Sequence, residues 1–338
     1  MPIHFGIIGT SWITASFIHC AHATSKWNLG AVYSRKEETA KEFASKYSDR
    51  KMALYTSLGD LANDSTISTV YIASPNILHY EHTKTMLSAG KHVILEKPSC
   101  STVAELDELF ALAKAKGVIL IEAFRHIQEA NFKVVKEAIG KVGPLYGASI
   151  TFCQYSSRYE KVLQGQVPSV FDLKMGGGAL ADLGVYCVSA AIDLFGPPLS
   201  CCYAPVRIAT GADGAGTLVL QYASFHVHLH HSKMYNSASP MEIYGEKGTL
   251  VVPTVTDIES VVFWDAKTKQ KTELAGKKEG KAGVDVESNL CAEAREFARC
   301  IEDKDTKAIG KYEVLSRDVL KVLEGARRDN GLLFPGES

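Results

Sequence analysis

The chain has 338 residues, 46% of them hydrophobic and 22% charged. These values are typical of a folded globular protein and exclude a disordered or fibrous one, and the length suits two domains. A net charge of -1 excludes the broad basic surface that would attract nucleic acid or an anionic membrane. Because the chain also lacks a long apolar run and a signal-peptide pattern at its start, we expect a cytoplasmic protein with neither kind of partner.

The first third of the chain alternates between strands and helices. Strands are predicted over His4–Ile8, Leu29–Tyr33, Thr69–Ala73, His92–Leu95 and Val118–Glu122, and helices over Trp12–Ala23, Glu37–Tyr47, His79–Ala89 and Val103–Lys116. Alternation with short connections is typical of a parallel sheet covered by helices on both faces. A first domain of this Rossmann type is therefore expected over residues 1–123.

The remaining residues, 124–338, are expected to form a second α/β domain. Helices are predicted over Ala130–Ile139, Gly178–Phe195, Glu287–Glu302 and Glu313–Asp329, and residues 267–283 as an exposed connection. Strands are predicted over Tyr146–Tyr155, Ser200–Ile208, Gly216–Tyr222, His226–His231, Met241–Tyr244, Gly248–Val252 and Ser260–Trp264. Few of these strands are separated by a helix, which favours a large open and mainly antiparallel sheet.

The eight cysteines are scattered, and no Cys-x-x-Cys pair occurs among them. Cys201 and Cys202 are adjacent, which is too close for an ordinary disulfide, and they lack partners at zinc-ligand spacing. In the expected compartment this pattern favours reduced structural thiols.

The segment GTSWI, comprising Gly9, Thr10, Ser11, Trp12 and Ile13, follows the first strand, where dinucleotide-binding domains carry a glycine-rich loop. Only the first of the three usual glycines is present. Gly9 permits a tight turn, and the Ser11 hydroxyl can bond a phosphate or cap the following helix, whose N-terminus favours anions. By itself the segment is equally consistent with a strand, turn and helix that bind no ligand.

The end of the second strand carries Ser34 and Arg35, where an NAD-binding protein usually has an acidic residue for the ribose hydroxyls. A hydroxyl and a guanidinium instead suit a 2′-phosphate. NADP(H) is therefore favoured over NAD(H), which stays possible. The alternative is a solvated basic helix start, although basic residues oppose the helix dipole at that end.

Three further segments resemble the Gfo/Idh/MocA oxidoreductase family in their order and spacing. They are YIASPNILH from Tyr71, AGKHVILEKP from Ala89 and GGGALADLGVY from Gly176. The ending Gly184-Val-Tyr-Cys187 is similar to the subgroup of glucose-fructose oxidoreductase and dimeric dihydrodiol dehydrogenase, with Tyr186 where other members have histidine. The resemblance implies a Rossmann domain, a sheet domain that mediates dimers or tetramers, and hydride transfer between a nicotinamide and a sugar, polyol or dihydrodiol-like alcohol.

The resemblance also implies roles for individual residues. Lys97 is expected to bind and polarise the substrate oxygen, and Tyr186 to move the hydroxyl proton. A phenol is a weak base at neutral pH, but a lysine cation beside it would favour the phenolate. Asp182, four residues before Tyr186 on the predicted helix, is expected to bind substrate hydroxyls or position the other two groups.

Other residues are candidates on weaker grounds. The cofactor is expected to contact Ser74, Pro75, Asn76, Glu96 and Lys97, while His79 either contacts it or packs against the loop. Arg125 departs from the family position of an arginine and is a candidate contact to substrate or nicotinamide, and Tyr155 and Arg158 are candidate substrate contacts without a motif.

His226, His228 and His230 alternate and so share one face of a strand. They can form either a zinc site or, more simply, part of a polar sheet face buried between subunits; no metal is expected, because ligands two residues apart on a flat strand rarely converge on one ion. The sequence thus predicts an oxidoreductase, with a catalytically silent dinucleotide-binding sensor of the same fold as the alternative.

Overall fold

The computed structural model describes residues 1–47, 52–276 and 288–337. The chain divides into two compact units. Unit 1 comprises Met1–Ala123 and Ala282–Arg317, and unit 2 comprises Phe124–Lys281 and Asp318–Ser338.

Unit 1 is built on a parallel sheet of six strands. The strands are β1 (Ile3–Ile8), β2 (Trp27–Tyr33), β3 (Ala53–Tyr55), β4 (Thr69–Ile72), β5 (His92–Glu96) and β6 (Leu120–Ala123), and the helices between them are α1 (Trp12–Ala23), α2 (Glu37–Ala44), α3 (Leu58–Asn63), α4 (His79–Ser88) and α5 (Val103–Lys116). The strand order is β3-β2-β1-β4-β5-β6. This is the doubly wound order of dinucleotide-binding domains, and it confirms the Rossmann prediction.

Local sequence explains where the helices of unit 1 begin and end. Before α5, the Thr102 hydroxyl accepts from the Glu105 N–H at 3.2 Å, and the Glu105 carboxylate accepts from the Thr102 N–H at 3.1 Å. This reciprocal capping satisfies two amide groups that the first turn leaves without partners. Gly117 ends the helix at φ 66, a left-handed conformation that favours glycine.

Unit 2 is built on a sheet of eight strands. Its elements in chain order are α6 (Ala130–Ala138), β7 (Leu145–Cys153), α7 (Tyr159–Leu163), α8 (Val185–Phe195), β8 (Ser200–Arg207), β9 (Asp213–Gln221), β10 (His226–Ser232), β11 (Met241–Gly245), β12 (Gly248–Val252), β13 (Val261–Asp265) and β14 (Lys271–Ala275). The strand order is β14-β13-β12-β11-β7-β10-β9-β8. Among the described strands of this sheet, only β7 and β10 pair in parallel, so the prediction of a mainly antiparallel sheet is confirmed.

Two helices complete the fold, α9 (Asn289–Asp303) and α10 (Thr306–Arg328). The unit boundary falls within α10. The sequence division placed α9 in the second domain, whereas it packs in unit 1, where Phe297 lies in the same apolar cluster as Phe5 and Phe17. The Trp27 indole N–H also donates to the Ala294 carbonyl at 2.9 Å.

Cys20 in α1 and Cys291 in α9 form a disulfide with their Cα atoms 4.5 Å apart. The expectation of reduced thiols is therefore wrong for this pair. The two residues are 271 positions apart, and only the packing of α9 on α1 brings them together. The other six cysteines are free thiols, as expected.

Two further predictions are corrected. The predicted connection 267–283 contains the edge strand β14, which pairs with β13. Its exposed lysine and threonine side chains gave the sequence no apolar strand pattern. Residues 277–283 lie outside the described part. The predicted helix Gly178–Phe195 begins as a π-helix, Leu180–Gly184, and continues as α8. The stretch Leu173–Phe195 is long and apolar enough to cross a membrane by composition, but its most apolar window is 72% buried in the protein, as in a core helix.

Candidate active site

The candidate cofactor residues of unit 1 lie at one edge of its sheet. Gly9 and Thr10 follow β1, Ser34 and Arg35 follow β2, Ser74 to Asn76 follow β4, and Lys97 follows β5, whose last residue is Glu96. Because all six strands are parallel, their carboxyl ends meet at the same edge. In doubly wound sheets this edge is where ligands bind.

The loop between β1 and α1 has the features required for a phosphate. Gly9 has φ +104, and a Cβ there would lie 2.4 Å from the Ala73 carbonyl oxygen. Ser11 is the N-cap of α1, yet its hydroxyl makes no capping hydrogen bond. The twelve-residue α1 thus presents an N-terminus, with its partial positive charge, beside a serine hydroxyl not engaged in capping, which suits the pyrophosphate of a dinucleotide.

The end of β2 offers a cation at the surface. Arg35 is exposed, and Ser34 is partly exposed with its hydroxyl 3.4 Å from the Lys36 N–H. His82, on α4, lies near enough that the charge of Arg35 adds to burial in lowering the pKa of this imidazole. No acidic side chain occupies the position that would repel a 2′-phosphate.

His79 is buried rather than presented to a ligand. Its two ring nitrogens lie 2.9 Å from the Pro98 carbonyl oxygen and 2.8 Å from the Ser74 carbonyl oxygen. Burial lowers the pKa of His79 to about 4, although both carbonyl contacts oppose the shift. The residue therefore joins the loop after β4 to the turn after β5, which favours the packing alternative.

Two buried carboxylates support the turn that carries Lys97. Glu96 accepts a hydrogen bond from the Tyr71 hydroxyl at 2.5 Å, and Glu122, at the end of β6, accepts one from the Ser99 N–H at 2.8 Å. Burial raises the pKa of Glu122 to about 7. Lys97 itself is partly exposed, as a residue that contacts a substrate must be.

Close packing in unit 2 explains the glycines around Asp182. A Cβ at Gly178 would lie 2.2 Å from the Asp213 carboxylate, which accepts the Leu180 N–H at 2.6 Å. A Cβ at Gly184 would lie 3.1 Å from the buried His231 ring. Side chains at these glycines would therefore displace the π-helix, a winding that often occurs at functional sites.

Asp182 lies in this π-helix and forms an ion pair with Lys233, which follows β10. The Lys233 side chain is 5% exposed and the Asp182 side chain 37% exposed. The ammonium group also lies 5.1 Å from the centroid of the Phe171 ring. The pair thus fixes a carboxylate that solvent, and so a small molecule, can reach.

Tyr186 lies in the first turn of α8, and its side chain is nearly buried. Its ring packs against His126 and Phe152, each with ring centroids 5.1 Å from its own. The Arg125 Nε donates to the Tyr186 hydroxyl oxygen at 3.2 Å. The structure thus brings Arg125 to the tyrosine expected to move the proton.

The remaining candidates have other surroundings. Tyr155 follows β7 and donates its hydroxyl to Glu160 at 2.5 Å, and Arg158 directly precedes α7. On β10, His226 and His228 are exposed, while His230 contacts the hydroxyls of Thr217 and Tyr235. Within the described residues, no group of three or more histidine, cysteine or acidic side chains is arranged to hold a metal ion.

Sequence reasoning missed Lys233, and also Glu129 and Asp257, which support Arg125. No motif marked them. Lys233 lies 51 positions from its partner Asp182 along the chain, and Asp257 lies 132 positions from its partner Arg125. The position of Lys233 directly after a strand of alternating histidines was its only sign in the sequence, and lysines at strand ends are ordinarily solvated.

Family models match both parts of the chain. Residues 3–124 match the GFO/IDH/MocA oxidoreductase family with its NAD-binding Rossmann fold, and residues 132–251 match the GFO/IDH/MocA C-terminal domain. The chain belongs to the GFO/IDH/MocA family. The resemblance stated from the three sequence segments is thus confirmed.

Characterised enzymes are similar to the chain over its whole length. Scyllo-inositol 2-dehydrogenase (NADP(+)) IolU of Bacillus subtilis is 36% identical over 335 residues, covering 99% of both chains. Trans-1,2-dihydrobenzene-1,2-diol dehydrogenase of Macaca fuscata fuscata is 29% identical over 352 residues, again covering 99% of both. The GFO/IDH/MocA protein is accordingly an NAD(P)-dependent oxidoreductase.

A solved structure with the same fold is the 3-ketoreductase of Actinomadura kijaniata in complex with NADP and TDP-benzene. It superposes with a TM-score of 0.81 at 20% identity and covers 96% of this chain and 98% of that one. At this identity the similarity concerns the fold.

Proposed function

We propose that the protein is an NADP(H)-dependent dehydrogenase or reductase that transfers a hydride between the nicotinamide and a carbon bearing a hydroxyl or carbonyl group. The proposed substrate is a polyol or sugar, with a dihydrodiol-like alcohol as the other candidate. The observation that carries the proposal is the pair of anchored polar groups in unit 2, Tyr186 held by Arg125 and Asp182 held by Lys233. Both relatives named above act on cyclic compounds with adjacent hydroxyls, which supports this substrate class.

Each residue has a distinct role in the proposed reaction. Tyr186 takes the hydroxyl proton during oxidation and returns it during reduction. Lys97 stabilises the negative charge that develops on the substrate oxygen during hydride transfer. Asp182 accepts hydrogen bonds from neighbouring hydroxyls, and Tyr155 and Arg158 are proposed as further substrate contacts. The nicotinamide, when bound, supplies or accepts the hydride.

The cofactor is proposed to lie along the carboxyl edge of the unit 1 sheet. The loop from Gly9 to Ile13 would hold the pyrophosphate, and Ser34 and Arg35 the 2′-phosphate, in keeping with the NADP(+) of IolU. Ser74, Pro75 and Asn76 would contact the nicotinamide ribose, with Glu96 beside them. His79 would support this loop through its carbonyl contacts rather than touch the cofactor.

We further propose a cytoplasmic enzyme that assembles as a homodimer or homotetramer through the sheet of unit 2. The exposed surface of this sheet, described in the Discussion, is the feature that supports self-association.

The proposal is tested by following nicotinamide absorbance while the protein is mixed with each cofactor and a panel of inositols, inososes, aldoses and dihydrodiols. We expect turnover with at least one compound and a higher kcat/KM with NADP(H) than with NAD(H). Tyr186→Phe removes the proton donor and should lower kcat by about 100-fold or more, which is the usual size of an acid–base contribution.

Tyr222→Phe is the matched control, because the Tyr222 hydroxyl donates to the Gly196 carbonyl at 2.9 Å in the same unit and serves no proposed step. NADPH affinity should be unchanged in both variants. Tight NADPH binding without turnover of any compound would instead support the alternative, a catalytically silent dinucleotide sensor. Preference for NAD(H) would contradict the assignment of Ser34 and Arg35.

A further inference from the structure

Arg125 contacts Tyr186 in two ways. Its Nε lies 3.2 Å from the phenolic oxygen, and its guanidinium carbon lies 5.5 Å from the centroid of the aromatic ring. The Arg125 side chain is 15% exposed and the tyrosine is nearly buried, so both contacts are shielded from solvent. Shielding strengthens the interaction of a cation with the phenol.

The direction of this hydrogen bond follows from the chemistry of the two groups. A guanidinium has five N–H donors, no acceptor, and keeps its charge at every ordinary pH. The phenolic oxygen must therefore accept from Arg125, and its own hydrogen must point to another acceptor. Because the guanidinium is a rigid planar fork of donors, this contact holds the phenolic oxygen in one place.

The chain holds Arg125 in place through an acidic residue on a supported loop. The Arg125 Nη1 lies 3.6 Å from the Asp257 carboxylate. Asp257 has φ +56, a left-handed conformation that is uncommon outside glycine. The buried Glu129 carboxylate accepts the N–H groups of Asp257 and Ile258, both at 2.7 Å, and so holds the loop in this conformation.

We infer that Arg125 is a positioning residue that acts through Tyr186, orienting the phenolic oxygen for proton transfer. The inference rests on the proposed function. During reduction the Tyr186 O–H bond breaks, its proton forms a new O–H bond on the substrate oxygen, and the electron pair stays on the phenolate beside the guanidinium. During oxidation the proton returns along the same path. Nothing is consumed beyond the hydride exchange itself.

Other titratable groups lie on the elements around Tyr186. The His126 ring packs against the tyrosine ring at an interplanar angle of 58°, and Asp182 lies four residues earlier in an ion pair with Lys233. Cys187 follows Tyr186 in α8, and His231 lies close to Gly184. Burial lowers the pKa of His231 to about 3 and raises the pKa of the Cys187 thiol, so both stay neutral near pH 7. Arg125 is a permanent cation in direct contact with the phenolic oxygen.

The test compares kcat and KM for alcohol oxidation in the wild type and in Arg125→Met. The variant should lower kcat about tenfold, because the phenolic oxygen is no longer held in place for proton transfer. KM for the substrate should change less than about twofold, because the residue acts through Tyr186. Arg125→Gln, which is neutral and shorter, should give a similar loss of kcat, and Arg125→Lys, which keeps a charged donor, should lower kcat less than about threefold.

Arg207→Met is the matched control, since Arg207 lies on β8 in the same unit and donates to the carbonyls of Gly211 and Asn330. It should leave kcat and KM unchanged. A raised KM with unchanged kcat in Arg125→Met and Arg125→Gln would overturn the inference and make Arg125 a direct substrate contact.

A second measurement does not depend on turnover. The near-ultraviolet circular dichroism of tyrosine is compared between the wild type and Tyr186→Phe, and the difference isolates the one phenol. This difference should fall by about half or more when Arg125→Met is present in both proteins, because the ring is then less firmly oriented. An unchanged difference would overturn the inference even if the enzyme is active, whereas a reduced difference without turnover of any substrate would contradict the proposed function alone.

Discussion

The ion pair of Asp182 and Lys233 combines an accessible carboxylate with a buried cation. A lysine as buried as Lys233 is stable only when it is paired, and removing one partner of such a pair commonly costs several kcal/mol. The ammonium group also acts on the buried Asp213, whose pKa burial raises and the charge of Lys233 pulls down. Lys233 thus holds Asp182 in one orientation, and its positive charge offsets the negative charges of Asp182 and Asp213.

Lys233→Met tests this role in substrate binding. The variant keeps the apolar stem but leaves Asp182 free to turn, so we expect kcat/KM for a polyol to fall about 10- to 100-fold, the usual cost of a misplaced substrate contact. The dissociation constant of NADPH, measured by fluorescence titration, should not change. Lys136→Met, which breaks an exposed ion pair with Asp193, is the control and should match the wild type. Wild-type kcat/KM in a folded Lys233→Met protein would contradict the role.

Motifs located the residues expected to act on the substrate, but not the residues that hold them. Lys97, Asp182 and Tyr186 stand in segments whose order and spacing are distinctive. Lys233 and Asp257 stand in no motif, because their relation to the site depends on the pairing of β10 with β7 and on the loop after β12. The disulfide between Cys20 and Cys291 was missed for the same reason, since long-range packing leaves no periodic pattern.

At the scale of elements, the turn after β5 depends on its neighbours for support. Glu122 from β6 holds the Ser99 N–H, and His79 from α4 contacts the Pro98 carbonyl. The Glu122 carboxylate is buried in the folded protein, so it keeps its proton to about pH 7 instead of losing it near 4.5. The folded state binds this proton more tightly than the unfolded chain does. The protonated side chain therefore adds to the free energy of unfolding; this stabilisation is fully present below pH 4.5 and is lost as pH rises toward 7.

Glu122→Gln should remove this pH dependence while keeping an oxygen to accept the Ser99 N–H. Between pH 5 and pH 8 the wild type should lose on the order of 2 kcal/mol more unfolding free energy than the variant, at 1.36 kcal/mol per unit of pKa shift. Urea unfolding at several pH values measures the difference. Glu81→Gln, at an exposed position of α4, should follow the wild type. Parallel curves for the wild type and Glu122→Gln would refute the assignment.

Element boundaries followed from the sequence where periodicity and capping agreed. The helices Trp12–Ala23 and Val103–Lys116 and the strand Gly248–Val252 have the predicted bounds. The missed elements are short or exposed: β3 has three residues, α3 has six, and β14 carries exposed side chains at its start. The π-helix before α8 was not predicted. Its winding comes from the close packing of Gly178 against Asp213 and of Gly184 against His231, and not from the helix preference of the local sequence.

At the scale of the whole molecule, one face of the eight-stranded sheet of unit 2 carries side chains that are exposed or partly exposed within the described residues. The strand registers align them in rows across the sheet. One row contains Cys202, Val219, His228, Ser149, Glu242, Val251 and Val262, all exposed or partly exposed, while the other face carries buried residues such as Leu218, Leu229 and Ile243. This solvent-accessible face with mixed polar and apolar character is the surface proposed for self-association.

His228→Glu tests that surface, since it places a charge near the middle of the sheet, on β10, where two copies would bury it together. We expect the wild type to sediment as a dimer or tetramer. In the variant the dissociation constant of the assembly should rise about tenfold or more, since a loss of 1.4 kcal/mol of binding free energy raises it tenfold. His19→Glu, on an exposed position of α1 in unit 1, makes the same substitution elsewhere and should leave the assembly intact. Sedimentation across a concentration series distinguishes the outcomes, and a monomeric wild type or an unaffected His228→Glu assembly would exclude the sheet face as the interface.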